Sequence, residues 1–197
     1  MAATSARRRI LDEAADLFYR QGVRAVGVDT IIARSGVAKM SLYRHFASKD
    51  DLIVAYLEER RRAVFAWWDE ALGPADAGAD AEITVDPRAR LVGLLAAAVE
   101  RSRRPDFRGC PFLNAGAELP DDRHPARAVI AAYRAEARDR LVALGRNLGA
   151  CRPGDLATQL LALLDGIFAA GRARVADEVP ALLAAAESLI AAQVVRD

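Results

Sequence analysis

Polar and basic side chains recur between residues 39 and 49, where they could bind an anionic polymer. Lysine and arginine bind phosphate oxygens and guanine edges, hydroxyl groups bind phosphate oxygens, and an apolar tip can contact a thymine methyl group. These residue types and their spacing predict noncovalent recognition of duplex nucleic acid. With one methionine included, the candidate contact residues are Lys39, Met40, Ser41, Tyr43 and Arg44.

Three rings in this stretch have a second interpretation. Tyr43 and Phe46 could be core aromatics, and His45 could pack against the first helix of the chain. The sequence favours the core for Phe46 and the surface for Tyr43, and leaves His45 open.

Two short helices joined by a tight turn are expected to position these side chains. The segments VDTIIARS and KMSLYRHF are separated only by residues 36–38, and a turn this short makes two helices cross steeply. Gly36 suits the turn, while Ile31, Val37 and Leu42 can lock the helices together. The outer face of the second helix then stays free to enter a DNA groove, as in a helix-turn-helix.

Helical periodicity continues on both sides of this motif and predicts an all-α fold of about nine helices. A first helix is expected over residues 5–21, ending at Gly22. Ser48 and Asp51 predict a capping box that opens a long helix reaching Gly73. Residues 73–86 lack periodicity and predict a loop. Further helices are expected near residues 87–103, 126–148, 155–175 and 179–195. The segment RGCPFLNAGAEL, between the first two of these helices, is not assigned to an element.

Positive charge is concentrated at the N-terminal end. Residues 1–49 contain nine Lys/Arg and four Asp/Glu, although the whole chain has a net charge of only +1. Such a block is expected of a nucleic-acid-binding module, and the alternative is a solvated basic face.

Other site classes receive no support from the composition. Cys110 and Cys151 lie far apart without zinc or redox spacing, so no metal site and no cofactor is predicted. No uninterrupted apolar run reaches the roughly 18 residues of a membrane span. A cytoplasmic protein without a membrane partner is therefore expected.

The stretch GVAKMSLYRHFASKDDL resembles the signature of the TetR family of helix-turn-helix transcriptional regulators. The family spacing is matched without a gap, and the preceding RRRILDEAADLFYRQGV fits too, so the resemblance covers residues 1–57. The residues that carry it are Gly36, Leu42, Tyr43, Phe46, Lys49 and Leu52.

For the DNA-binding part, the resemblance implies that Lys39, Ser41, Tyr43 and His45 touch DNA and that Lys49 binds a phosphate. An N-terminal arm, here residues 7–9, often contacts the backbone or minor groove in this family. The chain departs from the family pattern at three positions, which are Val28 in place of a phosphate-binding hydroxyl, Ile32 in place of alanine, and Ala38 in place of a capping serine.

For the whole chain, the resemblance implies a DNA-binding domain over residues 1–50 and a ligand-binding and dimerisation domain over residues 51–197. The implied function is that of a repressor released from a palindromic operator by a small-molecule effector of unknown identity. The implied partners are operator DNA, the effector and a second copy of the chain.

The ligand pocket implied by the family would be lined by side chains from the middle helices. Asn114 and Glu118 are buried-looking polar groups, and each is either a satisfied structural group or a ligand anchor. For any single aromatic side chain, core packing is the alternative. The candidate lining residues are Phe65, Trp67, Trp68, Phe112, Asn114, Tyr133 and Phe168.

The last two helices are expected to form the homodimer interface. Their Leu/Ile/Ala faces exceed what one helix pair could bury alone, and Gly166, Ala170 and Gly171 are small enough for close approach. The alternative is that this surface completes the core of one protomer.

Two other functions compete with DNA binding as interpretations of the sequence. An enzyme is not predicted, because the sequence has no nucleophile elbow, HExxH motif or phosphate loop, and His45 and His124 are its only histidines. A helical protein-interaction module is the second rival. Salt-dependent binding to duplex DNA separates both rivals from a DNA-binding regulator.

Overall fold

The computed structural model describes residues 5–73, 86–175 and 178–193. Across these ranges the chain forms nine helices and no strand, which confirms the all-α prediction. In chain order they are α1 (Ala6–Gln21), α2 (Val28–Ser35), α3 (Lys39–His45), α4 (Lys49–Leu72), α5 (Pro87–Ser102), α6 (Pro111–Glu118), α7 (Ala126–Asn147), α8 (Pro153–Ala173) and α9 (Val179–Gln193).

Sequence periodicity placed eight of these helices within a few residues and did not assign α6. That helix has only eight residues, too few to establish a 3.6-residue period. Helices α2 and α3 are as short, but the tight turn that joins them identified both. The first residue of α6, Pro111, suits the first helical position. The loop predicted for residues 73–86 lies outside the described residues except for residues 73 and 86. The predicted end of the last helix, residue 195, also lies outside them.

The described residues divide into two compact units. The first unit consists of residues 5–62 and 111–133, and the second of residues 63–110 and 134–193 with the gaps given above. Helix α6 and the start of α7 thus pack in the same unit as the helix-turn-helix, although they follow it by more than 60 residues in the sequence.

The core of the first unit is built around one face of α1. The Phe18 ring meets the Tyr56 ring edge-on, with 5.6 Å between centroids. The Arg60 guanidinium covers the ring of Tyr56 at 5.5 Å. Apolar burial of this kind fixes the orientation of the short helices α2 and α3, which could not be stable alone. The core side chains are Ile10, Leu11, Ala14, Leu17, Phe18, Ile31, Leu42, Leu52 and Tyr56.

In the second unit, α5, α8 and α9 pack against one another. By length and composition, α8 is the one helix in the described ranges that could cross a membrane. Its packing within the unit accounts for the buried part of its apolar surface, which is Leu156, Ala157, Leu160, Leu161, Leu164, Ile167 and Ala170.

The small residues expected to let two copies of the chain approach closely also have close neighbours within their own chain. A Cβ on Gly166 would lie 3.6 Å from Leu182 of α9, and Gly171 lies against Ser102 of α5. Ala170 is buried. All three residues thus have neighbours or burial within their own chain, and an approach between protomers at these positions stays a prediction. The exposed small residues of α8 are Ala162, Ala169 and Ala173.

Replacing Gly171 with alanine is expected to destabilise the second unit. The new Cβ would lie 2.6 Å from Ser102 Cβ and 2.8 Å from the Ser102 carbonyl oxygen, so α8 and α5 would have to separate. Overpacking of this kind costs about 1–3 kcal/mol of unfolding free energy. Urea denaturation followed by circular dichroism would measure the loss.

Gly93→Ala is the matched control for this substitution. A Cβ at Gly93 would have its nearest neighbour, the Ala71 carbonyl oxygen, at 3.9 Å. The higher helix propensity of alanine should then stabilise the chain by up to about 1 kcal/mol. Equal stability of the two variants would contradict the close crossing at Gly171.

Candidate nucleic-acid interface

Helix α3 separates a buried face from an exposed polar face. Leu42 is fully buried, and Phe46, the C-cap residue directly after the helix, is 4% exposed. By contrast, Met40 is 79% exposed and Tyr43 is 41% exposed. Phe46 therefore is a core aromatic, whereas Tyr43 is available to a ligand. Of the other residues predicted to bind DNA from this helix, Lys39 and Arg44 are exposed, and Ser41 and His45 are half-buried.

The turn between α2 and α3 follows the expected backbone path. Gly36 adopts a left-handed conformation with φ of 63°, which glycine accepts without a steric penalty. Its N–H donates to the Ile32 carbonyl at 3.1 Å. Fully buried Ile31 holds α2 on the core.

Ala38 leaves the N-terminus of α3 without a side-chain cap from the described residues. Ser35 does not replace the missing cap, because its hydroxyl donates to the Ile32 carbonyl at 3.2 Å. A serine or asparagine cap contributes about 1 kcal/mol. Helix α3 is consequently held in place more by the packing of Leu42 and Phe46 than by interactions at its own termini.

The basic groups of α3 have weak local partners. Lys39 Nζ lies 3.3 Å from Asp29 Oδ1, and both side chains are mostly exposed. Arg44 donates to the Ser41 hydroxyl at 3.4 Å. Exposed contacts of this kind contribute little to stability, so both cations can exchange these partners for phosphate oxygens.

The three arginines at the start of α1 are not equivalent. The Arg7 guanidinium lies 5.1 Å from the Phe46 ring centroid. Arg8 binds Asp12 and also Glu59, the latter at 2.8 Å; the hydrogen bonds to these carboxylates raise the pKa of Arg8, that to Asp12 most. All three arginines are exposed, so exposure alone does not single out one of them as a contact to a DNA backbone.

A second ionic cluster joins α2 to α1. Arg34 lies 2.8 Å from Glu13 and 3.2 Å from Asp16. Arg20 also binds Asp16 at 2.6 Å, and this hydrogen bond holds the pKa of the Asp16 carboxyl below its usual value. Arg34 therefore contributes to the fold of the motif.

Ser48 caps the fourth helix as predicted. Its hydroxyl oxygen accepts from the Asp51 N–H at 3.0 Å. The Asp51 carboxylate accepts from the Ser48 hydroxyl at 2.9 Å, and this side-chain bond takes the place of the expected bond to the Ser48 backbone N–H. The cap fixes the direction in which the first turn of α4 leaves α3.

Lys49 lies in this first turn, and its Nζ donates to the Arg24 carbonyl at 3.2 Å. Partial burial removes water from the ammonium group and lowers the pKa of Lys49, while the Asp50 and Glu118 carboxylates oppose that shift. A cation at a helix N-terminus, beside N–H groups that also attract anions, is a suitable phosphate site.

Sequence reasoning missed the partner of Glu118. Its carboxylate Oε2 accepts from the Arg24 N–H at 2.9 Å, a contact that spans 94 residues. The loop between α1 and α2 is thus bound through the Arg24 N–H by Glu118 and through the Arg24 carbonyl by Lys49. No local pattern signals this contact, because it depends on where α6 packs.

The structure distributes the predicted effector-lining residues over both units. In the first unit, the buried Phe112 and Tyr133 rings stack with centroids 3.7 Å apart and an angle of 8°, and Asn114 is half-buried. In the second unit, Phe65 and Trp68 meet edge-on at 5.7 Å.

The remaining two aromatic candidates also belong to the second unit. The Trp67 ring lies 5.0 Å from the Arg101 guanidinium carbon, and Phe168 lies 5.6 Å from Phe107. Each predicted aromatic side chain therefore has a ring or a cation as its neighbour within its own unit.

Comparison with known proteins places the chain in one family over most of its length. The family described as bacterial regulatory proteins of the tetR family matches residues 10–56. The family described as the tetracyclin repressor-like C-terminal domain matches residues 87–188.

Solved structures agree with this match. A TetR-family transcriptional regulator from Streptomyces coelicolor is 34% identical, with 95% of both chains covered and a TM-score of 0.84. A TetR-type regulator from Streptomyces avermitilis is 33% identical, with 96% of this chain and 98% of the other covered and a TM-score of 0.85.

Curated relatives match over shorter stretches. The transcriptional repressor KstR2 of Mycobacterium tuberculosis is 32% identical over 96 residues, which are 49% of this chain and 44% of that protein. The transcriptional activator FasR of Mycolicibacterium smegmatis is 42% identical over 52 residues, 26% of this chain and 24% of that protein. The chain thus spans less than half the length of these curated relatives. Given both family matches, the buried and exposed faces of α3 and the neighbours that share its fold, the chain belongs to the TetR family of DNA-binding transcriptional regulators, which are not enzymes.

Proposed function

We propose that this regulator is a homodimeric repressor that a small-molecule effector releases from a palindromic operator. The observation that carries the proposal is the exposed outer face of α3. Met40 and Tyr43 face outward there, while Leu42 and Phe46 hold the helix on the core. A helix presented in this way can enter the major groove without loss of its own packing.

The proposed DNA contacts divide by chemistry. Lys49 and the α3 hydroxyl groups are suited to phosphate oxygens, whereas Lys39 and Arg44 are suited to phosphates or guanine edges and Met40 to a thymine methyl group. Base contacts specify the operator and phosphate contacts set its register. The full proposed set is Lys39, Met40, Ser41, Tyr43, Arg44, His45 and Lys49.

The proposed dimer uses α8 and α9. Exposed alanines continue along both helices, and a 15-residue helix as apolar as α9 buries only three of its residues within the chain. A two-fold dimer would present two α3 helices about 34 Å apart, one turn of DNA, to a palindromic site. The exposed alanines are Ala162, Ala169 and Ala173 on α8 and Ala181, Ala184, Ala185, Ala191 and Ala192 on α9.

The residues proposed to contact the effector are considered within each unit separately: Phe112, Asn114 and Tyr133 in the first unit, and Phe65, Trp67, Trp68 and Phe168 in the second. A ligand can shift operator binding only by its different affinity for the two states of the dimer. Helix α4 contributes residues to both units, so it is the helix proposed to transmit the effect of the ligand. Mass spectrometry of compounds released by denaturing the purified protein would identify an effector, and a ligand without effect on operator affinity would contradict release.

The division of labour predicted from the sequence stays a proposal, with DNA binding in residues 1–50 and ligand binding with dimerisation in residues 51–197. So does a cytoplasmic location. Repression is favoured over activation because the match to the repressor KstR2 extends over 96 residues, whereas that to the activator FasR covers 52. In vitro transcription from an operator-bearing template, with and without the protein, distinguishes the two.

Affinity for duplex DNA is expected to fall steeply with salt. Each neutralised phosphate contributes about −0.9 to the slope of log K against log salt. Lys39, Arg44 and Lys49 in two protomers would give a slope of about −5. Fluorescence anisotropy with a labelled duplex between 50 and 200 mM salt measures this slope, and binding that does not respond to salt would contradict the proposed interface.

A further inference from the structure

The Glu118 carboxylate lies against the backbone of the loop between α1 and α2. Its Oε2 accepts from the Arg24 N–H at 2.9 Å. A Cβ on Gly22 would lie 2.6 Å from Oε1 and 2.7 Å from Oε2. Gly22 also has a φ of 92°, which a side chain rarely adopts. The glycine therefore lets the carboxylate approach the backbone closely.

Arg24 is also bound by Lys49, the residue that is proposed to bind a DNA phosphate. Lys49 Nζ donates to the Arg24 carbonyl at 3.2 Å. Arg24 is thus held in two successive peptide groups, one through its N–H and the next through its carbonyl, and the loop cannot shift there without breaking one of two charge-assisted hydrogen bonds. The location of the Lys49 ammonium thus depends on Glu118, although the two side chains come from different helices.

A second contact joins the connection after α6 to the same turn of α4. His124 Nε2 lies 3.3 Å from Asp50 Oδ1, and Asp50 is the neighbour of Lys49 in the sequence. The Ala126 N–H donates to His124 Nδ1 at 3.1 Å, which orients the ring so that its buried Nε2 atom lies on the side of Asp50. Residues 111–133 therefore contact the α1–α2 loop through Glu118 and lie against the start of α4 at His124.

We propose that Glu118 is a positioning residue for operator binding: it fixes the α1–α2 loop and, through the backbone of Arg24, holds Lys49 where it meets a DNA phosphate. The inference rests on the proposed contact between Lys49 and DNA. Glu118 itself touches no DNA in this arrangement. Departure of α6 from the loop would release Lys49 and weaken the operator complex.

This proposal and simple electrostatics predict opposite results. A carboxylate near a DNA-binding surface repels phosphate, so its removal should strengthen binding if charge alone matters. If positioning matters, Glu118→Ala should weaken operator binding about tenfold, because a charge-assisted hydrogen bond that orders Lys49 is lost. The salt slope should also become shallower by about 1.8 for the two protomers.

Two conservative variants separate the effect of side-chain length at position 118 from the effect of its negative charge. Glu118→Gln keeps an oxygen that can accept from the Arg24 N–H and should recover most of the affinity. Glu118→Asp keeps the charge but is one methylene too short, and it should resemble the alanine variant. Because both retain a polar side chain of similar size, they provide the comparison if Glu118→Ala fails to fold.

The experiment measures affinity by anisotropy on a duplex selected from a random pool by the wild-type chain. A double-mutant cycle with Lys49→Ala tests the route, since Glu118→Ala should cost nothing more once Lys49 is absent. Glu100→Ala removes an exposed carboxylate from the second unit and should leave affinity unchanged. Thermal unfolding of each variant checks the fold.

Two different failures can be told apart. If Lys49→Ala binds as tightly as the wild type, the proposed phosphate contact is wrong. If Lys49→Ala weakens binding while a folded Glu118→Ala binds normally, or if the two losses multiply, the positioning role is overturned and the DNA contact stands.

Discussion

Operator binding is expected to fall by at least about 100-fold when Tyr43 and Lys49 are both replaced by alanine. Each residue is proposed to bind phosphate in both half-sites, so the double variant removes four contacts from the dimer. A hydrogen bond to a charged group contributes about 1.5–3 kcal/mol, and even partial loss of four such contacts exceeds the expected threshold. A gel-shift titration with the selected duplex measures the change.

The structure indicates that this variant will still fold. Tyr43 is 41% exposed, so its removal leaves no cavity. Loss of Lys49 costs the hydrogen bond to the Arg24 carbonyl, whose effect on stability thermal unfolding would reveal. Tyr43→Phe separates the hydroxyl group from the ring and should account for most of the Tyr43 effect if the hydroxyl binds phosphate.

Arg146→Ala is the matched control for loss of a positive charge. Arg146 is exposed in the last turn of α7, in the second unit, and is not among the proposed DNA contacts. Its replacement should change affinity less than twofold at about 0.15 M salt, where the Debye length is about 8 Å. An unchanged gel shift for the Tyr43/Lys49 variant would reject α3 and the start of α4 as the DNA-binding surface.

The sequence was sufficient to predict the helix-turn-helix because its signals are local. The glycine turn, the capping serine and the spacing of Leu42 and Phe46 all act within one or two helical turns. The consequence of Ala38 was equally local, and the structure confirms that α3 lacks a side-chain cap from the residues described.

The role of Glu118 could not be predicted in the same way. Its partner lies 94 residues earlier in the chain, and the contact exists only because α6 packs beside the α1–α2 loop. From the sequence, a half-polar helix with one glutamate is compatible with a structural bond and with a ligand anchor alike. The residues that make the site, Gly22 and Arg24, carry no signal of that partner in their own neighbourhood.

Small residues on α8 illustrate a second limit of sequence reasoning. A glycine or alanine indicates that something approaches closely, but not which helix it is. Gly166 and Gly171 face α9 and α5 of the same chain, whereas Ala162 and Ala169 are exposed. The distinction requires the phase of the helix relative to its neighbours, which amphipathicity cannot give when a helix is apolar on most of its faces.

Ala169→Glu is therefore expected to disrupt the proposed dimer. Ala169 lies on α8 on the exposed side of the helix, and in a two-fold interface each substitution would appear twice. An unpaired carboxylate buried in such an interface costs several kcal/mol, enough to shift a micromolar sample to monomer. Sedimentation velocity would show the change in mass, and operator affinity should fall with it because one protomer reads only one half-site.

Ala143→Glu introduces the same side chain at an exposed position of α7 in the same unit, outside the proposed interface, and should leave the dimer intact. The pair of variants separates a specific interface from a general effect of added negative charge. If Ala169→Glu remains dimeric with wild-type operator affinity, the α8 surface only completes the protomer, and the dimer must form elsewhere. If it is monomeric and still binds the full operator tightly, the requirement for two linked half-sites is wrong instead.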